Sequence, residues 1–324
     1  MPRTSNVAFS VAPPFQPDGA AAALRQARLL FWDEWLHDVL ELPAAGRGAL
    51  GPSVLDDGRV VFYRVDGGIF AFDPLTETTV PFAEANAVGE AFRASITKDG
   101  RVMVFLADPR GTPARIGVSG RDPGPDTRAY LWIDGVAAEL APVNELAAQE
   151  GGIDRIKVAG KARVVSFSTR TGGNHVWPLG AGPIQKLETP PARDPALDDD
   201  ATIIAWVDAR GLDPRQVWVN RLATVSLPVE RARALGATNW LLPPSSGAAV
   251  PAPGSVAMEF VTLHDPILLP EIPLAAGGVI LSLSPSKDRL RFTSYERSAG
   301  IFRVWRYRYF GSLVEQLATL NMAQ

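Results

Sequence analysis

Few side chains in this sequence have the types and spacing that catalysis or metal binding needs. The three histidines, His37, His175 and His264, lie far apart and share no spacing of the kind that zinc sites use. The run Asp198–Asp200 offers carboxylate ligands for Ca²⁺, but it lacks the Gly and the terminal Glu of an EF-hand loop. No Gly-x-Ser-x-Gly elbow and no phosphate-binding loop occurs in the sequence. The sequence therefore predicts no catalytic residue, no metal site and no cofactor.

Composition excludes several classes of protein. The chain has 324 residues, of which 46% are apolar and 21% charged, an ordinary globular composition. It contains no cysteine, which excludes disulfides and thiolate chemistry, and its net charge of −3 argues against nucleic acid as a partner. Residues 1–20 lack the apolar segment of a signal peptide, and no stretch of the chain is typical of a transmembrane span. We therefore expect a cytoplasmic protein, peripheral to a membrane at most.

A short phrase, a polar turn followed by an apolar strand, recurs along the chain. The clearest copies are Asp57–Arg59 before Val60–Tyr63 and Asp99–Arg101 before Val102–Phe105. Weaker copies begin at Gly160, Asp199 and Lys287, and an apolar residue followed by Trp comes after four of the five turns, at Trp132, Trp177, Trp218 and Trp305. The first three of these tryptophans are 45 and 41 residues apart. This period, with several short strands per unit and Asp-Gly turns, is typical of a β-propeller. One Trp per unit predicts packing between blades.

The repeat resembles that of the TolB-like, or WD40-like (PD40), β-propeller family. In that family Ser-Pro-Asp-Gly-Lys/Arg precedes an apolar strand, and a second strand ends near Asp. Ser53–Arg59 and Ser95–Arg101 match this pattern, Ser284–Arg289 matches it in part, and Asp73 and Asp134 match the end of the second strand. The resemblance covers roughly residues 50 to 310 and implies the propeller fold. It implies little about function, because propellers have many unrelated roles.

We therefore expect an all-β fold, a propeller of six blades or, as the alternative, five. In the six-bladed version, residues 222–280 form a degenerate blade with a turn at Pro243–Gly247 and strands at Trp240–Leu242 and Val256–Leu263. In the five-bladed version the same stretch is a Pro-rich excursion. An insertion at Asp108–Thr127 is expected to be either a binding loop or a disordered excursion. The expected boundaries are 1–19 (strand and linker), 20–43 (helix), 44–311 (propeller) and 312–324 (tail).

The N-terminal part is expected to contain a strand and a helix. Val7, Phe9 and Val11 alternate on one face of a strand that could close the ring against the last blade. Residues 20–42 are predicted as an amphipathic helix with an apolar arc of about 200°, about twice what one buried helix face needs. The spare apolar surface predicts a contact with a partner protein or a membrane surface. Its proposed contact residues are Phe31, Trp32, Trp35, Leu36 and Leu40.

A second contact surface is predicted near the C-terminus, where arginine alternates with aromatic residues over residues 303–310. The proposed contact residues there are Arg303, Arg306 and Arg308. They would meet an anionic partner, such as lipid headgroups, an acidic protein face or RNA. The alternative is a solvated edge strand that its charge protects from aggregation.

These observations favour a non-catalytic interaction module, a peripheral accessory or scaffold subunit of a larger complex that includes other protein subunits. A membrane-associated complex is one candidate host. The first alternative is a propeller hydrolase or lyase that uses the central funnel, and the second is a cytosolic propeller that binds a ligand or peptide there. The side chains that line the central channel discriminate among the three.

Overall fold

The computed structural model shows six antiparallel sheets arranged as the blades of a β-propeller. It describes residues 7–14, 17–33, 38–117, 120–159, 164–171, 173–179, 183–187, 192–208, 217–228, 256–262, 267–269, 278–285, 289–296, 299–308 and 313–321. The prediction of an all-β, six-bladed propeller is confirmed. The sixth blade, however, is not where the sequence predicted it.

Blade 1 is formed by the N-terminal part of the chain. Its strands are β1 (Val7–Val11), β2 (Arg28–Asp33) and β3 (Asp38–Glu41). The 3-10 helix Pro17–Gly19 and the helix α1 (Ala20–Arg25) connect β1 to β2. The predicted helix thus begins at Ala20 but ends at Arg25, and a hairpin replaces the rest of it. Successive residues Leu29 and Leu30 are both buried, so this strand is apolar on both faces, and a strand of that kind lacks the alternation that separates it from a helix.

Blades 2 to 4 follow in chain order, each with four strands. Blade 2 contains β4 (Ala49–Val54), β5 (Val60–Arg64), β6 (Ile69–Asp73) and β7 (Thr78–Pro81). Blade 3 contains β8 (Glu90–Ile96) and β9 (Val102–Asp108), then the inserted hairpin of β10 (Ile116–Gly117) and β11 (Gly120–Arg121), then β12 (Arg128–Ile133) and β13 (Val136–Glu139). Blade 4 contains β14 (Ile153–Ala159), β15 (Val164–Thr169), β16 (Asn174–Pro178) and β17 (Gln185–Leu187). The 3-10 helix Pro43–Ala45 and the helices α2 (Ala83–Ala87) and α3 (Ala141–Gln149) connect successive blades.

Blades 5 and 6 complete the ring. Blade 5 contains β18 (Ala192–Leu197), β19 (Ile203–Asp208), β20 (Val217–Pro228), β21 (Val256–Thr262) and β22 (Ile267–Leu268). Blade 6 contains β23 (Gly278–Pro285), β24 (Arg289–Glu296), β25 (Ile301–Arg308) and β26 (Leu313–Asn321). The last of these strands lies where a C-terminal tail was expected.

The described residues between 222 and 280 do not form a separate blade. The first half of β20 pairs with β19 and β22 inside blade 5, while its second half pairs with β21 in a hairpin that continues from the blade. The strand predicted from Val256 is present as β21. The predicted turn at Pro243–Gly247 and the strand at Trp240–Leu242 lie outside the described residues. The sixth blade is the N-terminal one, which the sequence prediction had assigned to a strand, a linker and a helix.

The antiparallel course of the strands gives the ring two faces. On the turn face, tight turns join the first and second strands of each blade. On the crossover face, the outermost strand of one blade leads to the first strand of the next, through α2 and α3 among others. The turns follow the sequence prediction, since Gly58 has φ 90° and Gly100 has φ 73°. Asp57 and Asp99 accept backbone N–H bonds from the residues two positions ahead, which fixes each turn.

The positive φ at Gly100 leads to a stability prediction. An alanine at this position would have to adopt the left-handed backbone conformation. Its Cβ would lie 3.2 Å from Cδ1 of Leu55. We expect Gly100→Ala to lower the free energy of unfolding by about 1 kcal/mol, measured by urea denaturation. The matched control is Gly124→Ala, because that Cβ would meet nothing closer than 3.7 Å. Equal denaturation midpoints for the two variants would contradict the turn assignment.

Blade 1 meets blade 6 at a contact that we call the closure seam. The rings of Phe9 and Phe302 stack with their centroids 4.2 Å apart, and both side chains are buried. The hydroxyl of Tyr295 donates to the carbonyl oxygens of Ala12 (2.8 Å) and Pro13 (3.1 Å). The predicted N-terminal strand therefore does lie against the last blade, but it is held there by side chains. Its strand pairing is with β2 of its own blade.

Candidate functional site

The first strands of blades 2 to 6 carry a β-bulge. The pairing register with the second strand shifts within β4, β8, β14, β18 and β23. In three of these strands a residue at the shift has left-handed backbone: Gly51 (φ 56°), Arg93 (φ 50°) and Asp194 (φ 58°). That conformation costs a non-glycine residue about 1 kcal/mol or more, and strain of this kind concentrates at functional or organising positions. A bulge also redirects a side chain, here on the strands nearest the axis.

Arg93 uses its strained position to contact two other parts of the molecule. Its Nη1 donates to the carbonyl oxygen of Asp154 (2.6 Å) and to the carboxylate of the same residue (3.2 Å). Its Nη2 donates to the carboxylate of Asp122, 3.1 Å away. The Arg93 side chain is only 6% exposed, so these contacts hold a buried cation between the first strand of blade 4 and the insertion of blade 3.

The same pattern continues into blade 5. Lys157 on β14 places its Nζ 2.9 Å from the carboxylate of Asp194 on β18, and Arg155 lies 4.0 Å from that carboxylate. We call Arg93, Asp122, Asp154, Lys157 and Asp194 the axial cluster. Its charges alternate around the axis and join the first strands of blades 3, 4 and 5. Each of these charges has an opposite charge beside it. The ion pairs therefore link the inner strands of neighbouring blades and stabilise their positions.

The described residues of the blade 3 insertion, 109–117 and 120–127, are held by specific contacts. Arg121 on β11 is fully buried and donates through Nε (3.0 Å) and Nη2 (2.8 Å) to the carboxylate of Asp108, which is also buried. It donates as well to the carbonyl oxygens of Asp66 and Thr112, and its guanidinium lies 5.1 Å from the ring centroid of Phe92. The expectation of a disordered excursion is therefore corrected. The insertion folds back over the crossover face and is fixed to blades 2 and 3.

The tip of the insertion meets the axial cluster near Tyr63. A Cβ added at Gly120 would lie 2.8 Å from the Tyr63 hydroxyl, so only glycine fits this close approach. Burial raises the pKa of Tyr63, with nearby Arg93 opposing the shift. Burial also raises the pKa of Asp122, against the opposing charges of Arg93 and Arg170. The insertion therefore places a carboxylate against the buried Arg93 at the crossover-face end of the axial cluster.

A second polar group lies on the crossover face of blade 4. The Glu150 carboxylate accepts hydrogen bonds from Thr169 (2.8 Å) and Lys186 (2.9 Å) and lies 2.9 Å from Nε2 of His175. Burial alone would raise the pKa of Glu150, but the contacts with Lys186, His175 and Thr169 together lower it to about 2. Burial lowers the pKa of His175, which stacks on Phe167. A Cβ at Gly173 would lie 2.5–3.1 Å from this group, so the group is closely packed against the backbone.

The predicted contact residues of the N-terminal part belong to blade 1. Phe31 on β2 is half-buried and packs against the apolar cluster that blades 1 and 2 share. Trp32 is on β2, where Phe31-Trp32 forms a further copy of the apolar-Trp phrase. Leu40 on β3 is exposed, with 45% of its surface accessible. Trp35 and Leu36 lie outside the described residues.

The predicted basic contact residues lie on β25 of blade 6. Arg303 forms an ion pair with Glu296, and Arg306 lies 2.7 Å from the carboxylate of Glu315. Arg308 is 53% exposed and lies 3.7 Å from the same carboxylate. Neighbouring acidic residues therefore neutralise much of this charge, and Arg308 remains the most accessible of the three. Because blades 6 and 1 are neighbours, the two predicted contact groups flank the closure seam.

Three further sequence predictions concern turns, metals and membranes. The Asp198 carboxylate caps the turn of blade 5 by accepting the backbone N–H groups of Thr202 and Ile203, and Ala201 there has φ 53°. Asp198 thus has the role at the repeat turn that the structural interpretation of this acidic run predicts. Across the described ranges no cluster of three potential metal ligands occurs. No helix in those ranges has the length and apolarity of a membrane span.

A groove opens beside the closure seam on the crossover face. It has a volume of about 490 Å³ and lies between Pro13–Pro14 and α1. Asp18, Gly19, Ala22 and Gln26 form much of its wall. The groove is therefore next to the end of β1, where the Tyr295 hydroxyl holds the chain.

Several solved structures are similar to this chain over almost its whole length. TolB from Acinetobacter baumannii is 14% identical over 97% of this chain and 66% of its own, with a TM-score of 0.50. Hydrazine synthase of Kuenenia stuttgartiensis is 11% identical over 97% of this chain and 45% of its own, with a TM-score of 0.55. The chain thus spans less than two thirds of either protein. It has the TolB-like, WD40-like propeller fold. The sequence matches no protein-family model and no characterised protein sequence.

Sequence reasoning missed the axial cluster of this TolB-like propeller, although a signal for it exists. Gly51, Arg93 and Asp194 each stand seven residues before the left-handed turn residue of their blade, at Gly58, Gly100 and Ala201. Aligning the repeats on that residue would have placed Arg93 and Asp194 at one position of the first strand. No comparable signal marks Asp122, which reaches Arg93 from the insertion.

Proposed function

We propose that this propeller is a non-catalytic interaction module, an accessory or scaffold subunit that binds another protein through the two blades flanking the closure seam. The observation that carries the proposal is that residues 31–33 and 38–40 lie on blade 1 and residues 303–308 on the adjacent blade 6, although the two groups are far apart in sequence. Each contributes an accessible side chain, Leu40 on blade 1 and Arg308 on blade 6. Exposed apolar side chains and exposed charges both occur in protein-binding surfaces, and here neighbouring blades supply one of each.

The axial cluster supports this choice over a site in the central channel. Its acidic and basic side chains are already neighbours of one another, at 2.9–3.2 Å across the strands. A ligand that used Arg93 or Lys157 would first have to displace Asp154 or Asp194 from a partly buried ion pair, which is costly. A partner that bound the groove or the exposed side chains at the seam would not have to displace a carboxylate from a partly buried ion pair.

Co-purification from the source cells tests the proposal. We expect Leu40→Asp to reduce recovery of the wild-type partner by about tenfold, because a charge would replace an apolar contact at the interface. The matched control is Val80→Asp, since Val80 has the same place on the outer strand of blade 2 and is 57% exposed. Partner recovery is measured by quantitative mass spectrometry after verifying that both variants melt like the wild type.

If the proposal is right, Leu40→Asp reduces partner recovery and Val80→Asp does not. Full recovery with Leu40→Asp, or equal losses with both variants, would contradict a contact at blade 1. A parallel pair, Arg308→Glu and Arg128→Glu, tests blade 6, because Arg128 is also an exposed arginine close to a glutamate, 4.0 Å from Glu139. If Arg308 contributes to an anionic contact, raising the salt concentration should weaken association.

A further inference from the structure

The loop that joins β15 to β16, which we call the blade 4 loop, lies on the crossover face. Its described residues are Arg170, Thr171 and Gly173. Glu150, which follows α3, contacts both ends of this loop: its carboxylate accepts a hydrogen bond from Thr169 at one end and lies 2.9 Å from Nε2 of His175 at the other. The backbone carbonyl of Glu150 accepts a further hydrogen bond from Thr171 (3.2 Å). Glu150 therefore holds the loop closed.

The geometry determines which nitrogen of His175 gains a proton in acid. Nε2 faces a carboxylate oxygen of Glu150, which only accepts hydrogen bonds, so Nε2 carries the proton of the neutral ring. Nδ1 is therefore the atom that is protonated as the pH falls. It is buried and has no hydrogen-bond partner among the described residues. A proton added there would place a charged N–H group in the interior without an acceptor, which is costly.

The groups packed around the imidazole also oppose its protonation on balance. Burial has the largest effect and lowers the pKa of His175. Glu150 favours the protonated ring, but Lys186 on β17 repels it and already pairs with the other oxygen of the same carboxylate. On β15, the uncharged ring of Phe167 stacks on the imidazole. Blade 5 packs on the opposite face of this sheet, where Ser166 donates to a carbonyl oxygen of β18.

The blade 4 loop also contacts the insertion of blade 3. Nη2 of Arg170 donates to the carbonyl oxygen of Pro123, and the guanidinium charge acts on the carboxylate of Asp122. The backbone N–H of Arg170 donates to the carbonyl oxygen of Gly152 (2.9 Å), in the segment that follows α3. A change at His175 therefore reaches the insertion through residues that are in direct contact.

We propose that the contact between Glu150 and His175 is an acid-sensitive latch, which holds the blade 4 loop against the insertion at neutral pH and releases it when His175 is protonated. Opening of the loop gives the imidazolium access to water, so the open state binds the additional proton more tightly than the closed state. The latch is independent of the proposed function, which uses blades 1 and 6.

The pH range of the latch follows from the two protonation equilibria. An imidazole exposed by opening has its ordinary pKa of about 6.5, whereas burial lowers the pKa of His175 in the closed state. Opening should therefore become more favourable as the pH falls below about 6.5, by at most about tenfold per pH unit. Glu150 stays ionised over this range, because its contacts with Lys186, His175 and Thr169 outweigh burial and lower its pKa to about 2.

Hydrogen exchange of the intact chain at about pH 7 and about pH 5.5 tests the latch. The rates are converted to protection factors, which removes the direct effect of pH on exchange. Protection of the Arg170 and Gly173 amides should fall by about five- to tenfold at the lower pH. The reference is the amide of Gly68 in the corresponding loop of blade 2, which donates to the carbonyl oxygen of Ala91 (2.7 Å) and should keep its protection.

Two histidine variants separate the latch from other effects of acid. His175→Gln retains an N–H donor toward Glu150 but has no titrating group, so its loop should be equally protected at both pH values. The matched control His37→Gln removes a different histidine and should respond like the wild type. Unchanged loop protection in the wild type, a wild-type response in His175→Gln, or loss of the response in His37→Gln would overturn the inference.

NMR titration of the His175 ring in the wild type gives a readout that does not depend on the folding of a variant. We expect a ring pKa below about 6.5 and, at neutral pH, a proton on Nε2. A ring pKa at or above about 6.5, or a neutral ring protonated on Nδ1, would contradict the latch.

Discussion

Arg121→Met should lower the free energy of unfolding by about 3–5 kcal/mol, which is the usual cost of leaving one partner of a buried ion pair alone. Both side chains of the pair are almost inaccessible, at 1% for Arg121 and 4% for Asp108. The substitution also removes the hydrogen bonds that fix the insertion to Asp66 and Thr112. Urea denaturation measures the loss, and faster proteolysis within residues 109–127 would show that the insertion has detached.

The chain provides a matched control on the same blade. Arg101 and Asp134 form an ion pair with two hydrogen bonds, at 2.8 and 3.1 Å, but the Arg101 side chain is 62% exposed. Arg101→Met should therefore leave the denaturation midpoint almost unchanged, because water screens an exposed pair. If the two variants lost the same stability, burial of the Arg121 pair would not be what holds the insertion.

Phe302→Ala should lower the free energy of unfolding by about 3–5 kcal/mol, the cost of removing a large aromatic side chain from a packed interior. Phe302 is fully buried and stacks on Phe9 across the closure seam. Closure of the ring should therefore weaken at the seam first, and hydrogen exchange in β1 should accelerate more than exchange in β9.

A double-mutant cycle isolates the contribution of the stack. The combined Phe9→Ala and Phe302→Ala variant should lose less than the sum of the single losses, with a coupling of about 0.5–1.5 kcal/mol. The control pair is Phe9→Ala with Phe72→Ala, since Phe72 belongs to a different hydrophobic cluster from Phe9. Strict additivity for the Phe9–Phe302 pair would show that the stack does not close the ring.

The repeat predicted most of the ring because its signals are local. An Asp-Gly turn needs left-handed backbone and a following strand, and both occur where Gly58 and Gly100 stand. Blade 1 was missed because its repeat has no Asp-Gly turn, and its strand β2 is covered on both faces. The sequence around Phe31 therefore has consecutive apolar residues. A strand buried on both faces and a helix with a wide apolar face both show this pattern, so it does not distinguish between them.

The candidate site was harder to predict, since it depends on contacts between distant residues. Arg121 stands in a segment rich in Gly, Pro and Arg, which is typical of an exposed loop, and only Asp108 and Phe92 explain its burial. The backbone of Arg93 is strained because the residue lies in a β-bulge. No residue type in the sequence signals that a bulge occurs there. By contrast, the exposure of Leu40 was expected, although the reason for it is an outer strand and not a helix.

The most direct test of the central claim is a hydrogen-exchange footprint of the purified complex of this chain with its co-purified partner. We expect slower exchange on binding in residues 28–41 of blade 1 and 301–321 of blade 6, with β7 and β13 of the neighbouring blades unchanged. Slower exchange confined to blades 2 to 5, with blades 1 and 6 unaffected, would contradict a partner contact at the closure seam.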